Sequence, residues 1–126
     1  LCWLINKTEN EMNLENTARA YFCAFENKEL DTLSDMFHED VTLKDWNLAA
    51  RGRQSVLDAN AEIFEAIDKI SVNVKKLYLC GMTVVAELSI LADDQNPLPV
   101  VDIIKFHPEC IDGDFKIESI VAYRGN

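Results

Sequence analysis

Residues 98–107 read Leu-Pro-Val-Val-Asp-Ile-Ile-Lys-Phe-His, a strand-forming run with a carboxylate at its centre. At the two-residue period of a β-strand, Asp102 shares a face with Val100, Ile104 and Phe106, while Val101 and Ile103 point the other way. Both faces are apolar, as in a strand covered on two sides. An ionised carboxylate on such a face needs a partner or gives up its charge, because burial disfavours the charged form. Two readings follow. Either Asp102 is paired for structural reasons to a Lys, an Arg or a backbone donor, or it is a neutral acid that donates a hydrogen bond inside a pocket.

The 126 residues suit one domain, long enough to bury roughly two thirds of its unfolded surface in a single core. Apolar residues make up 48% and charged residues 27%, which excludes a disordered or a membrane-spanning chain. A net charge of -10 repels phosphate backbones and anionic lipid, so neither nucleic acid nor a membrane is an expected partner. Cys2, Cys23, Cys80 and Cys110 are widely spaced, with no C-x-x-C pair and no His at zinc spacing. Free thiols in a reducing, cytoplasmic setting and no metal are therefore expected, with Cys23 and Cys80 acting as small hydrophobes. Residues 1–5 are too few for a signal-peptide core, although the missing initiator Met leaves room for a segment upstream. The Asn6-Lys7-Thr8 sequon is discounted as a chance match.

Residues 1–12 are read as an extension and 13–126 as the domain. From Asn13, Leu14, Ala18, Tyr21, Phe22 and Phe25 recur at helical spacing, and Tyr21 on that stripe is by default a core tyrosine. Leu30, Leu33, Met36 and Phe37 mark a second short helix, closed by His38-Glu39-Asp40, with His38 solvated. Residues 41–46 alternate as a strand, with Asp45 on the face of Val41 and Leu43; it either turns to water and caps the loop 47–52 or joins a pocket. Val56, Asn60, Phe64 and Ile67 stripe a third helix, in which Asn60 is the polar gap: a satisfied core amide or a pocket wall. Four strands follow, 72–80, 82–91, 98–107 and 115–123, joined as hairpins, with residues 108–114 as a turn and His107 as loop surface. Helices followed by strands give an α+β fold, helices gathered on one face of a curved antiparallel sheet that closes into a cone with an apolar mouth.

The chain is similar to the nuclear-transport-factor-2-like superfamily, and within it to SnoaL-like and ketosteroid isomerase-like proteins. The resemblance covers residues 14–123 and rests on Ala20-Tyr21-Phe22-Cys23-Ala24-Phe25, Leu30-Asp31-Thr32-Leu33, Met36-Phe37-His38-Glu39-Asp40-Val41-Thr42-Leu43, Gly52, Val101-Asp102-Ile103-Ile104-Lys105-Phe106 and Asp112-Gly113. It implies the cystatin-like cone with three helices from the N-terminal half, and a homodimer through the outer sheet face. It also implies a general-base aspartate at Asp45, an oxyanion-hole tyrosine at Tyr21 and a protonated aspartic acid at Asp102, the ketosteroid isomerase arrangement. The chain departs from that pattern at Asn60, where a second tyrosine often supports the phenol, and after Asp45, where a short loop carries Trp46 with Arg51 nearby. These departures argue against a steroid.

The reading is a small enzyme, an isomerase or a cyclase of the lyase type, acting on a hydrophobic carbonyl compound without cofactor. Asp45, Tyr21 and Asp102 are its catalytic candidates, and Trp46, Asn60, Phe64, Phe25 and Phe106 its pocket. The alternatives are a ligand-binding protein of the same fold and a dimerisation module whose cone is filled by Trp46, Phe64 and Phe106. An open cavity shared by the three candidates favours chemistry.

Overall fold

The computed structural model describes residues 7–111 and 113–125, with side chains from residue 13 onward. The expectations for Cys2, for Asn6 of the sequon and for Asp112 in the last turn lie outside the described residues. Helix α1 spans Lys7–Glu26, α2 Leu30–Met36 and α3 Arg53–Ala66. The strands are β1 Phe37–Lys44, β2 Ala49–Arg51, β3 Ile70–Cys80, β4 Thr83–Ala92, β5 Leu98–Ile111 and β6 Asp114–Arg124, in the sheet order β2-β1-β6-β5-β4-β3. This is the expected α+β arrangement, with one correction. The sheet is mixed, because β1 runs parallel to β6, pairing Leu43 with Ile120 and Lys44 with Val121. The other pairs are antiparallel, and β2 and β3 are open edges.

Several boundaries differ from the sequence reading. Helix α1 begins at Lys7, ahead of Asn13. His38, Glu39 and Asp40 belong to β1 and do not close a helix, since Phe37 already takes an extended conformation. Residues 108–111, expected as a turn, continue β5 through a register shift between Phe106 and Cys110, a bulge that tolerates Pro108. That carries His107 out of a loop and onto a strand, where its ring stacks on His38 at 4.3 Å between centroids. The alternation also slips in two strands, at Lys75 in β3 and at Glu118 in β6, where an extra residue interrupts the ladder. The second slip turns both Ile117 and Ile120 inward.

The inner face of β5 is the buried set Val100, Asp102, Ile104 and Phe106, as the two-residue period predicts. Leu14, Ala18, Tyr21 and Phe22 on α1, Leu33 on α2 and Val56, Asn60 and Phe64 on α3 close over the sheet from one side. Two local devices fix the helices. Gly52 stands at φ 91° before α3, a backbone that an L-residue rarely takes, and its amide donates to Val41 O at 2.8 Å. Lys28 ends α1 in the left-handed region, with the amides of Lys28 and Glu29 donating back to Phe25 and Ala24. Its Nζ then donates to the carbonyls of Phe64, Ile67 and Asp68, so one lysine stops α1 and caps the end of α3.

Cys23 and Cys80 are free but exposed, not the small buried hydrophobes expected, and Cys110 is disulfide-bonded. The free-thiol expectation is corrected at Cys110, because spacing along the chain says nothing of proximity in space. Cysteine usage therefore no longer argues for a reducing compartment. No helix among the described residues is long and apolar enough to cross a membrane.

Candidate functional site

The helices and the sheet diverge over the ends of β4, β5 and β6 and leave a cavity of about 290 Å³. Its size is near the lower end for small-molecule sites. The walls are apolar: Phe22 and Phe25 from α1, Ile63 from α3, and Leu88, Val100 and Ile120 from the sheet. Register sets what stands beside the carboxylate. Asp102 is flanked across the ladder by Ala86 of β4 and Ala122 of β6, the smallest side chains that still pack on a strand face, and Ala122 of that pair lines the cavity.

Four of the polar candidates line this one cavity: Tyr21, Asp45, Asn60 and Asp102. Tyr21 is 4% exposed, its ring held edge-on to Phe22 at 5.3 Å and tilted against Phe37 at 6.2 Å. Asp102 is 8% exposed. Among the described residues neither side chain makes a hydrogen bond or an ion pair, so Asp102 is not the structurally paired aspartate of the first reading, nor does Tyr21 satisfy its hydroxyl within the core. Asp45 stands just past the end of β1, half-buried. Its Oδ1 accepts from the amides of Asn47 at 2.7 Å and Leu48 at 2.8 Å, the loop cap anticipated for it, while the residue still faces the cavity.

Charge follows from this placement. Burial, and secondarily the negative charge of Asp45, pushes the Asp102 carboxyl up to about 7. Burial, and secondarily the Asp102 charge, pushes the Tyr21 phenol well above its ordinary range. In mildly acidic water both groups are protonated donors in an apolar chamber that Asp45 also lines. Two carboxyl groups with different surroundings are thereby suited to opposite work.

Trp46 and Phe25 line the cavity, Trp46 at its mouth, 38% exposed, with the Arg124 guanidinium 5.7 Å from its ring. Two expected pocket residues do not line it. Phe64 packs on Phe25 at 5.1 Å and Phe106 is fully buried in the core, past Ile104 and farther along β5. Both share a face with a cavity residue, but each lies one step deeper in the packing, which a face assignment alone cannot resolve. Asn60 lines the cavity as a pocket wall and is not the satisfied core amide of the other reading: no hydrogen bond joins it to Tyr21, and its Nδ2 is buried without a partner. Sequence reasoning missed Leu48 in the mouth and the two alanines that make room for Asp102; only the strand register reveals the alanines. Among the described residues no group of three or more His, Cys, Asp or Glu is placed to hold a metal ion.

Comparison with known proteins places these features in a wider set. The family model for the SnoaL-like domain matches residues 18–117. A candidate dehydratase of the nuclear-transport-factor-2-like family from Streptomyces avermitilis superposes with a TM-score of 0.83 at 18% identity, covering 96% of this chain and 99% of that one. A candidate SnoaL-like isomerase from Agrobacterium tumefaciens gives 0.75 at 11% identity, over 91% and 99% of the two chains. A candidate polyketide cyclase from Sinorhizobium meliloti gives 0.74 at 17% identity, over 89% and 97%. At these identities the likeness is one of fold. No curated protein matches the sequence.

Proposed function

The chain belongs to the SnoaL-like domain family, and on that footing we propose that it is a small enzyme that removes a proton next to the carbonyl of an apolar compound. The observation that carries this reading is the placing of two buried groups without hydrogen-bond partners, Tyr21 and Asp102, and a loop-anchored carboxyl group, Asp45, around one apolar cavity. The Asp45 carboxylate takes the proton from the carbon beside the carbonyl, and the electron pair of the C–H bond moves onto the carbonyl oxygen as an enolate. Tyr21 and neutral Asp102 donate to that oxygen, a contact that strengthens as charge develops. Returning the proton to another carbon makes the enzyme an isomerase. Attack of the enolate carbon on a second carbonyl of the same molecule makes it a cyclase. The general base is worth roughly 10²–10⁴ in rate, and each oxyanion donor roughly 10²–10³.

Thermal-shift binding tests this reading, with wild type and Asp102→Leu set against apolar ketones and phenols, the phenols standing in for the enolate. Phenols that raise the melting temperature of wild type but not of Asp102→Leu support it, and isomerase and cyclase assays of Asp45→Asn follow. No stabilisation by any compound, with Asp102→Leu merely more stable, defeats it. A ligand-binding protein is the second reading, favoured by the Asp45 hydrogen bonds that shape the mouth loop irrespective of turnover. The filled-cone dimerisation module is disfavoured, because Phe64 and Phe106 leave the cavity open. We further propose a homodimer through the outer sheet face, where Val85, Ile103 and Val121 form a half-buried apolar row across three strands. Light scattering that gives a monomer at micromolar concentration refutes it.

A further inference from the structure

Asn60 is 1% exposed on the inward stripe of α3, between Val56 and Phe64, and its Nδ2 is the one side-chain polar atom among the described residues that is fully enclosed and has no hydrogen-bond partner. A buried amide left unpaired works against folding, and an apolar residue of similar volume would pack there without that penalty. The amide does not support the Tyr21 phenol, since no hydrogen bond joins them, and it does not tie α3 to a neighbouring element. What remains is the cavity: Asn60 lines it with Tyr21 and Asp102, and although Nδ2 itself is enclosed by protein, a half-turn of the amide about χ2 carries it to the place of Oδ1. Those two donors already match the two lone pairs of one carbonyl oxygen. A third donor on the same chamber therefore has to find a different acceptor.

We propose that Asn60 is a specificity-determining residue whose side-chain amide, turned about χ2, donates a hydrogen bond from Nδ2 to a second oxygen of the substrate, so that the cavity takes an apolar carbonyl compound carrying another acceptor oxygen, such as a ketone, ester or ether. This rests on the reading of Tyr21 and Asp102 as the pair that holds the reacting oxygen. An apolar monoketone leaves the Asn60 amide unpaired in the complex and binds less tightly for that reason; a dioxygenated analogue satisfies it. The cavity, at about 290 Å³, has room for a bicyclic molecule that bridges the two positions.

The probes are 2-naphthol, whose single oxygen stands in for the enolate, and a set of methoxy-2-naphthols that place an ether oxygen around the second ring. Dissociation constants are measured by calorimetry for wild type, Asn60→Leu, Asn60→Ser and Asp102→Leu, with circular dichroism confirming the fold of each. At least one methoxy isomer should bind wild type about tenfold tighter than 2-naphthol, as one added hydrogen bond allows. That gain, read in each protein against 2-naphthol in the same protein, should vanish in Asn60→Leu and survive in part in Asn60→Ser, which keeps a donor. An equal gain in wild type and Asn60→Leu, or no gain for any isomer, overturns the role of Asn60 and leaves intact any loss of naphthol binding in Asp102→Leu. Failure of 2-naphthol to bind wild type, or unchanged binding in Asp102→Leu, removes the underlying reading and this inference with it.

Discussion

Replacing Asp102 by Asn keeps the volume and a hydrogen-bond donor but removes the charge, and its effect on stability should depend on pH in a defined way. The Asp102 carboxyl titrates near 3.8 in the unfolded chain and at about 7 in the folded one. Between those values the folded protein holds a proton that the unfolded chain has released, so the contribution of this group to stability falls as pH rises through that window. Below about 3.8 both states are protonated and nothing is lost; above about 7 both are ionised and the loss is complete. At about 1.4 kcal/mol per pH unit, a gap of about three units amounts to about 4 kcal/mol in full and about 2 kcal/mol between pH 5 and pH 7. The neutral amide escapes this loss. Urea unfolding of both proteins, followed by circular dichroism from pH 4.5 to 8, should show the advantage of Asp102→Asn growing through the window and levelling off above pH 7. With a urea slope near 2 kcal/mol per molar, the midpoint difference should widen by about 1 M between pH 5 and pH 7. A midpoint difference that stays constant over that range would show that Asp102 is ionised or paired in the folded protein, and the neutral-donor argument would fail.

Four further outcomes follow from the structure. In Asp45→Asn the Asp102 carboxyl should titrate below 7 but well above 3.8, because burial is the larger cause and survives the change, as carbon NMR of the side chain can read; Asp45→Ala also loses the acceptor for the Asn47 and Leu48 amides and should be less stable than Asp45→Asn by about 1 kcal/mol. For any ketone the protein turns over, kcat/KM should fall about tenfold per pH unit above pH 7 as Asp102 ionises and stops donating, whereas a rate that keeps rising through pH 9 would exclude a neutral acid at that position. Lys28→Gly should destabilise the fold by about 1 kcal/mol in chemical denaturation despite the left-handed backbone that favours glycine, because relief of about 1 kcal/mol of strain is outweighed by loss of an ammonium shared among three carbonyls at the end of α3.

Asp102 was legible in the sequence because everything needed to place it is local. Val100, Ile104 and Phe106 lie within four residues, and the two-residue period of β5 holds across them. Tyr21 and Asn60 were legible for the same reason on their helical stripes. The parallel partner of β1 was not, since Leu43 and Ile120 come from opposite ends of the chain and no local pattern encodes which strand another will join. The bulges at Lys75 and Glu118 were equally silent, and with them the inward turn of both Ile117 and Ile120. Depth was the remaining gap. A stripe shows that Phe64 and Phe106 face inward, but whether an inward ring walls a cavity or fills the core behind it depends on the small residues opposite, here Ala86 and Ala122 beside Asp102.

The position of β6 between β5 and β1 has a bearing on how the protein comes into being. β1 has only the short β2 as a neighbour until β6 is available, and β6 is the last strand to be synthesised. On the ribosome, α1, α2, α3 and β1 therefore emerge with their apolar faces uncovered, while β3, β4 and β5 can zip into hairpins as they appear. Pairing of β1 with β6 closes the longest loop of any strand pair among the described residues and joins the two halves in one late step. A nascent chain halted before residue 120 holds a Tyr21 and an Asp45 that have no cavity to share with Asp102, and it exposes the apolar surface that chaperones bind.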